Sequence, residues 1–296
     1  MMYMKSQQGI ALVITLLTVA LITAMVVEFS YGVYTGTSNL YNWRDSQRLS
    51  LMAKSGIHVS AKYLSEWVDT QSFTPGAIEL PVENPFEDFQ GVIVVKIEDE
   101  SSKFNINAVV YPRGDLKNPA AYDSFKRLLK TLSLNENIAD RIVDWIDRDS
   151  VAELSDSEIN AKNADLVCVD ELLLIHGITR KDYDTLLPYV TVYGNRDNLI
   201  INVNGAEKPV LMCISDSITE ELARKIITYR AGMPFRDINE FNNFAGSSFG
   251  AHQISVKGDH FKITAQAFSG GVRTIIETVL NKSPFSSAVV KFWKEY

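Results

Sequence analysis

The sequence predicts an α+β fold. A long N-terminal helix packs on a small antiparallel sheet, and a large all-α insertion with two helix-hairpin-helix-like repeats interrupts that sheet. Three observations carry this. An uncharged apolar run, Ile10 to Val27, opens the chain, and no proline occurs before Pro75. Val- and Ile-rich alternating segments occur before Asn107 and again after Gly258. Between them, apolar residues recur at three- and four-residue spacing.

The chain has 296 residues, 46% of them hydrophobic, enough for a buried core and two modules. Its 29 basic and 36 acidic residues give a net charge of −7. That sign disfavours an extended anionic partner such as nucleic acid. The two cysteines, Cys168 and Cys213, allow neither a disulfide framework nor a Cys-rich zinc site. They are candidates for one disulfide if their domain lies outside the cytoplasm, and otherwise read as two small buried hydrophobes.

The apolar run at about 1.5 Å per residue covers about 27 Å, close to the hydrocarbon thickness of a bilayer. A secretory signal would have a shorter apolar region and a small-x-small cleavage site, and Ile22-Thr23-Ala24 is a poor one because Ile22 is bulky. A buried core helix would need a polar face, which the run lacks. A retained membrane helix is therefore expected. Lys5 and the amino terminus are the positive charges that precede it, which favours a cytoplasmic N-terminus.

The helical signal continues beyond Val27. Leu49, Met52, Ala53, Gly56, Ile57, Val59, Ser60, Tyr63, Leu64 and Trp67 recur at three- and four-residue spacing. Gly32, Gly36 and Gly56 admit slight bends. A helix over residues 10–67 would reach about 87 Å. Its outer end is expected to pack on a globular head, with the exposed side of Ser50 to Trp67 left to couple to partner helices. Residues 73–89 hold Pro75, Pro81 and Pro85 and read as a loop. Residues 91–98 read as a strand, with residues 103–107 continuing the sheet after a polar turn. A helical pattern runs from Tyr122 to Trp145. Two-helix repeats follow, around residues 175–179 and 215–219, with a possible short strand at Leu199 to Val203. The tail returns to strands at 260–268, 272–280 and 289–293, the first two joined at Gly270-Gly271. The expected segments are 1–9 as a leader, 10–67 as transmembrane and stalk helix, 68–111 and 246–296 as the two parts of the β head, and 112–245 as the inserted helical domain.

Three stretches could carry function. Gly9 followed by Ile10, after the polar residues 5–8, suits a protease that reads a short hydrophilic leader at a membrane surface. Glycine lets an extended backbone approach the catalytic centre unobstructed. Second, Asp144, Asp147, Asp149, Glu153, Asp156 and Glu158 place six carboxylates within 15 residues. Clustered oxygens suit a hard cation, although no EF-hand pattern is present and a solvated acidic surface has the same composition. Asp144 can equally cap a helix end. Third, Leu174-Ile175-His176-Gly177-Ile178-Thr179 is a passable helix-hairpin-helix turn, of the kind that binds DNA phosphates. Its second copy has Ser215-Asp216-Ser217 where small or glycine residues are usual. Residues 128–245 carry 12 basic and 20 acidic side chains, the wrong balance for a phosphate binder. A membrane-anchored DNA-binding protein is thus the alternative function, with structural packing of the repeats the favoured reading. His58, His176, His252 and His260 are scattered, and no nucleophile–base or Walker pattern occurs, so no enzyme is expected.

The order of short basic leader, glycine junction, apolar-then-amphipathic helix and small sheet resembles the type IV pilin-like superfamily. Most of its members carry a glutamate five residues into the mature chain. Here that position is Ile14. The exception is the minor pseudopilin K family of the type II secretion system, the general secretion pathway protein K family, which this chain resembles along almost its whole length. The residues that carry the resemblance are Gln8-Gly9-Ile10-Ala11-Leu12, Lys103-Phe104-Asn105-Ile106-Asn107 and Asp144-Trp145-Ile146-Asp147-Arg148-Asp149. To these are added Ile201-Asn202-Val203-Asn204, Tyr229-Arg230, Phe235 and Glu240-Phe241. Two departures stand out: Gly205-Ala206 where the family has Thr-Ala, and residues 150–162, which lack the family's tyrosine pair.

The resemblance implies a structural subunit at the tip of a periplasmic pseudopilus, taking part in protein export across the outer membrane. It implies cleavage between Gly9 and Ile10 with N-methylation by the prepilin peptidase, and a tip complex with minor pseudopilins I and J. The anchor would be a single pass through the inner membrane, with the C-terminal domain in the periplasm. With Ile14 the chain offers no carboxylate to the amino group of a subunit above it, as suits a subunit that caps a filament. Calcium binding in the helical domain is also implied, with Asp144, Asp147 and Asp149 the best-matched ligands.

Overall fold

The structure, a computed structural model, describes residues 4–81, 90–114, 116–149 and 151–296. Residues 1–3 of the expected leader, residues 82–89 of the expected proline-rich connection and Ser150 of the acidic segment lie outside the described residues.

One helix, α1 (Met4–Thr70), forms the stalk. Freedom from proline lets it extend through Gly32, Gly36 and Gly56, which cost helix propensity without breaking the backbone ladder. It ends where Gln71 makes a last backbone bond to Trp67 O (2.9 Å) and Trp67 Nε1 donates to Phe73 O (3.2 Å), just ahead of Pro75. Five strands follow: β1 (Ala77–Pro81), β2 (Val92–Asp99), and, after the helical module, β7 (His260–Ser269), β8 (Val272–Asn281) and β9 (Val289–Glu295). They form one antiparallel sheet in the order β1-β2-β7-β8-β9. The β7–β8 turn uses Gly270 (φ 53°) and Gly271 (φ 84°), the left-handed pair that a two-residue hairpin needs.

The outer end of α1 packs on this sheet. Leu49, Met52, Ala53, Ile57, Leu64 and Val68 interlock with Ile93, Val95, Ile97, Phe261, Ile263, Ala265, Ile276 and Leu280. Gly56 is needed at this crossing, since a Cβ there would lie 2.6 Å from Ile93 Cδ1. The outer end of the helix thus packs on the head as expected, its apolar face engaged by the chain's own sheet. Exposed apolar surface lies lower on α1, at Phe29 (73% exposed), Tyr34, Leu40 (68%) and Trp43.

Between β2 and β7 the chain builds the helical module from α2 (Pro119–Thr131), α3 (Asn137–Ile146), α4 (Arg180–Leu186), α5 (Lys208–Ile214), α6 (Glu220–Gly232) and α7 (Ile238–Ala245). Side-chain caps fix two of the helix starts. Asn118 accepts from Ala121 N ahead of Pro119, and Thr179 and Asp182 form a capping box on α4. The single helical pattern expected at 122–145 is two helices, because Ser133 takes a left-handed φ of 57° between them. The first expected two-helix repeat is a 3₁₀ turn (Val169–Leu174) followed by α4.

Two further expectations are corrected. Residues 73–89, read as loop, contain β1, because Ile78 and Leu80 find apolar cover beside β2. Residues 103–107 do not extend the main sheet. β3 (Phe104–Asn105) pairs in parallel with β4 (Val190–Thr191), then turns into a 3₁₀ segment, and β5 (Ile201–Asn202) pairs likewise with β6 (Ile254–Ser255). Phe104, Ile106 and Val110, and at the other end Phe249, Ile254 and Val256, are buried in the same core as Phe125, Leu128, Ile142 and Phe241.

A polar seam joins sheet and helical module. Asp99, only 2% exposed, accepts from Ser101 N (2.8 Å), Ser102 Oγ (3.1 Å), Asn202 Nδ2 (2.5 Å) and Thr74 Oγ1 (3.3 Å). Gly205 fits here because a Cβ on it would lie 2.0 Å from Ser102 Oγ and 2.6 Å from Gly76 Cα. The departure from the family's threonine thus coincides with a close backbone approach.

Candidate functional site

The leader junction lies on α1. Gly9 and Ile10 are both exposed, and nothing lies within 4 Å of a Cβ built on Gly9. Ile14 is 59% exposed one turn further on. The helix over Gly9–Thr70 is long and apolar enough to cross a membrane, and its most apolar window makes no buried contact within the chain.

The second site grows from the C-terminal end of α3. Asp144 and Asp147, three residues apart, project from the same side of a helix end. The loop that follows brings Glu158 back to them. Their carboxylate oxygens lie within 4.8 Å of one another. Asp144 is fully buried, and both its oxygens accept from Glu153 N (3.2 and 3.0 Å). Asp147 Oδ1 and Glu158 Oε1 are buried and hold no hydrogen bond. Asn163 Oδ1 is buried and unpaired too, in a side chain whose Nδ2 donates to Asp149 O (3.5 Å).

Electrostatics follow from that geometry. Burial pushes Asp147 up to about 7, with Asp149, Asp144, Glu158 and Glu153 adding like-charge repulsion. Burial also raises Asp144, against the donors from Ser157 and Glu153, and raises Glu158, with Asp144 and Asp149 reinforcing it. The loop is pinned around the cluster by Lys117–Glu153 (2.8 Å), Arg141–Asp156 (3.0 Å), Lys162–Glu171 (2.8 Å) and Arg196–Asp165 (2.6 Å). A cluster of carboxylate oxygens, those of Asp147 Oδ1 and Glu158 Oε1 orphaned, with mutual repulsion among them, fits a hard divalent ion such as calcium.

Of the three aspartates singled out by sequence, Asp144 and Asp147 meet here. Asp149 is exposed and accepts from Val151 N (2.7 Å), outside the cluster. Glu158 takes its place. The sequence held Glu158 in the same acidic run, but only the loop path reveals which carboxylates turn inward. Asn160 (φ 59°) and Asn163 (φ 53°) set that path, at left-handed positions that asparagine tolerates.

Cys168 and Cys213 are both free thiols, so the candidate disulfide is not formed. Cys213 is buried in the helical core, bonded to Val210 O (3.1 Å), and burial pushes its pKa up to about 12. In the first hairpin turn Gly177 (φ 83°) is packed against Arg141, whose Nη1 donates to His176 O (2.9 Å). His176 itself lies 3.1 Å from Asp156. Around the repeats, Arg180, Lys208, Arg224 and Lys225 each pair with a carboxylate. These turns are packed and neutralised, which leaves the DNA-binding alternative without support.

Comparison with known proteins agrees with this architecture. Two family models for type II secretion system protein K match in order, over residues 102–195 and 201–260. Type II secretion system protein K of Pseudomonas aeruginosa is 25% identical over 304 aligned positions, covering 94% of this chain and 90% of that protein. A chain from the crystal structure of the GspK-GspI-GspJ complex of the enterotoxigenic Escherichia coli type 2 secretion system shares the fold. The TM-score is 0.68 at 16% identity, over 87% of this chain and 99% of that one. The chain belongs to the type II secretion system protein K family, and its role is that of a secretion pseudopilin.

Proposed function

We propose that this chain is the minor pseudopilin that caps the tip of the type II secretion pseudopilus. One observation carries the reading: from Ile10 to Trp43 α1 keeps its large apolar side chains exposed (~50 Å at 1.5 Å per residue), while its last third is locked to the head. Apolar surface of that extent is stable only in a membrane or against other helices. Before assembly the run from Ile10 to Val27 anchors the precursor in the inner membrane, with the head in the periplasm. The prepilin peptidase cuts between Gly9 and Ile10 and methylates the new terminus. The helix then packs beside those of minor pseudopilins I and J, through Phe29, Leu40 and Trp43. Ile14 presents no carboxylate to a subunit above, and the broad helical module over the head obstructs further stacking. Both suit an end position. The function is structural, without enzymatic chemistry or nucleic acid.

The acidic cluster adds a cofactor. Asp144, Asp147 and Glu158 hold a calcium ion that ties the 151–165 loop to α3. For the division of the chain, the buried core supports drawing the inserted domain wider than 112–245, from about Ser102 to about Val256.

Co-expression of the full chain with minor pseudopilins I and J, followed by affinity capture in detergent, tests the assembly. A complex of all three is expected, and recovery of this chain alone would overturn the tip reading.

A further inference from the structure

A cleft of about 670 Å³ opens where the sheet face opposite α1 meets the helical module. Lys96 and Glu98 of β2 and Lys262 of β7 line it from the sheet. Glu207, Val210 and Arg230 line it from α5 and α6, and Leu187 and Pro188 add apolar surface. Its volume lies in the range of ligand sites.

Four cations line this cleft beside the carboxylates of Glu98, Asp99 and Glu207, and three of the cations are neutralised. Lys96 holds Glu98 (2.9 Å), Lys103 holds Glu100 (2.6 Å) and Lys262 holds Glu277 (3.2 Å). Arg230 makes no ion pair with any of the described residues. Its side chain donates from Nη1 to Val203 O. Burial lowers its pKa to about 10, and Glu207 is the charge that opposes the shift, from beyond ion-pair distance. A guanidinium has five N–H donors, and a half-buried one without a carboxylate is costly. Planar, forked donors of this kind recognise carboxylates.

We propose that this cleft binds a carboxylate of a peptide segment, with Arg230 as the anchor and Leu187, Pro188 and Val210 covering neighbouring apolar side chains. Glu207 is the internal competitor for Arg230 when the cleft is empty. The carboxylate can come from an acidic side chain or from a chain's C-terminus. The site does not depend on the filament reading, since it uses only residues of the head and the helical module.

Calorimetric titration of the full chain in detergent micelles tests this with two probes. One is a capped pentapeptide with two glutamates; the other is an N-acetylated, uncharged pentapeptide with a free C-terminal carboxylate. Saturable binding of either, weakened by raising salt, is expected, and the one that binds identifies the source. Glu207→Gln, at an exposed side chain, should tighten binding several-fold. Arg230→Gln should weaken it about tenfold, the loss of one charge-assisted hydrogen bond. If Arg230→Gln fails to fold through loss of its bond to Val203, Glu207→Gln still decides. No binding of either probe at millimolar concentration, or binding that Glu207→Gln leaves unchanged, overturns the proposal.

Discussion

Asp147 is where burial and charge conflict most sharply. Its carboxylate sits among like charges, and one of its oxygens lacks any partner. Without a cation that arrangement is destabilising; with one it becomes a clamp. Calcium should therefore raise the thermal midpoint of the full chain by several degrees, and Asp147→Asn should abolish most of that increment while raising the midpoint measured in chelator. Melting curves with and without calcium check both, and an equal calcium shift in wild type and variant would refute the site. Asp99 behaves differently, because its partners are fixed protein donors. Burial raises it to about 6, against the donors from Asn202, Ser101 and Ser102. The native state then holds a proton that the unfolded chain has released between about pH 4 and pH 6, so stability falls as pH rises through that window and levels off above it. Asp99→Asn should remove that slope in denaturant titrations run from pH 4 to 7. Which carboxylates face inward could not be read from sequence. Composition marks an acidic run, whereas the choice of Glu158 over Asp149 is set by a loop turned at Asn160 and Asn163.

At the scale of elements, α1 was the most legible, because the absence of proline and the change from all-round to one-sided apolarity are local signals. Strands β7 and β8 were equally clear from alternation and the Gly270-Gly271 turn, whereas β9, exposed along nearly its whole length, shows no such alternation. β1 was hidden by neighbouring prolines, and β3 was misassigned because KFNIN has strand composition yet pairs with residues 190–191, far along the chain. Long-range partner choice leaves no local trace. The two ends of α1 predict opposite responses. Leu64→Ala, in the helix–sheet core, should cost about 2–5 kcal/mol in unfolding experiments. Leu40→Ala, at an exposed position, should leave stability within about 0.5 kcal/mol while weakening capture of the partner pseudopilins. A destabilised Leu40→Ala head, with assembly intact, would contradict the division of labour along the helix.

The whole molecule is a membrane-length helix carrying a two-part head, with the sheet holding the helix and the helical module seated on the sheet through the Asp99 seam. Residues from both ends of the inserted segment enter the module's core, so its boundaries follow packing rather than the composition shift at Pro112. The family was legible from motifs spread along the chain, and the structure explains several of them. Asn202 and Asn204 hold the seam and the Phe235 turn, and Arg230 grips Val203. The central claim is that the N-terminal stretch is both processing site and assembly helix. Intact mass spectrometry of the protein purified from native membranes tests it most directly. A mature chain that begins at N-methylated Ile10 is predicted; an uncut leader, or cleavage near Ala24, would contradict it.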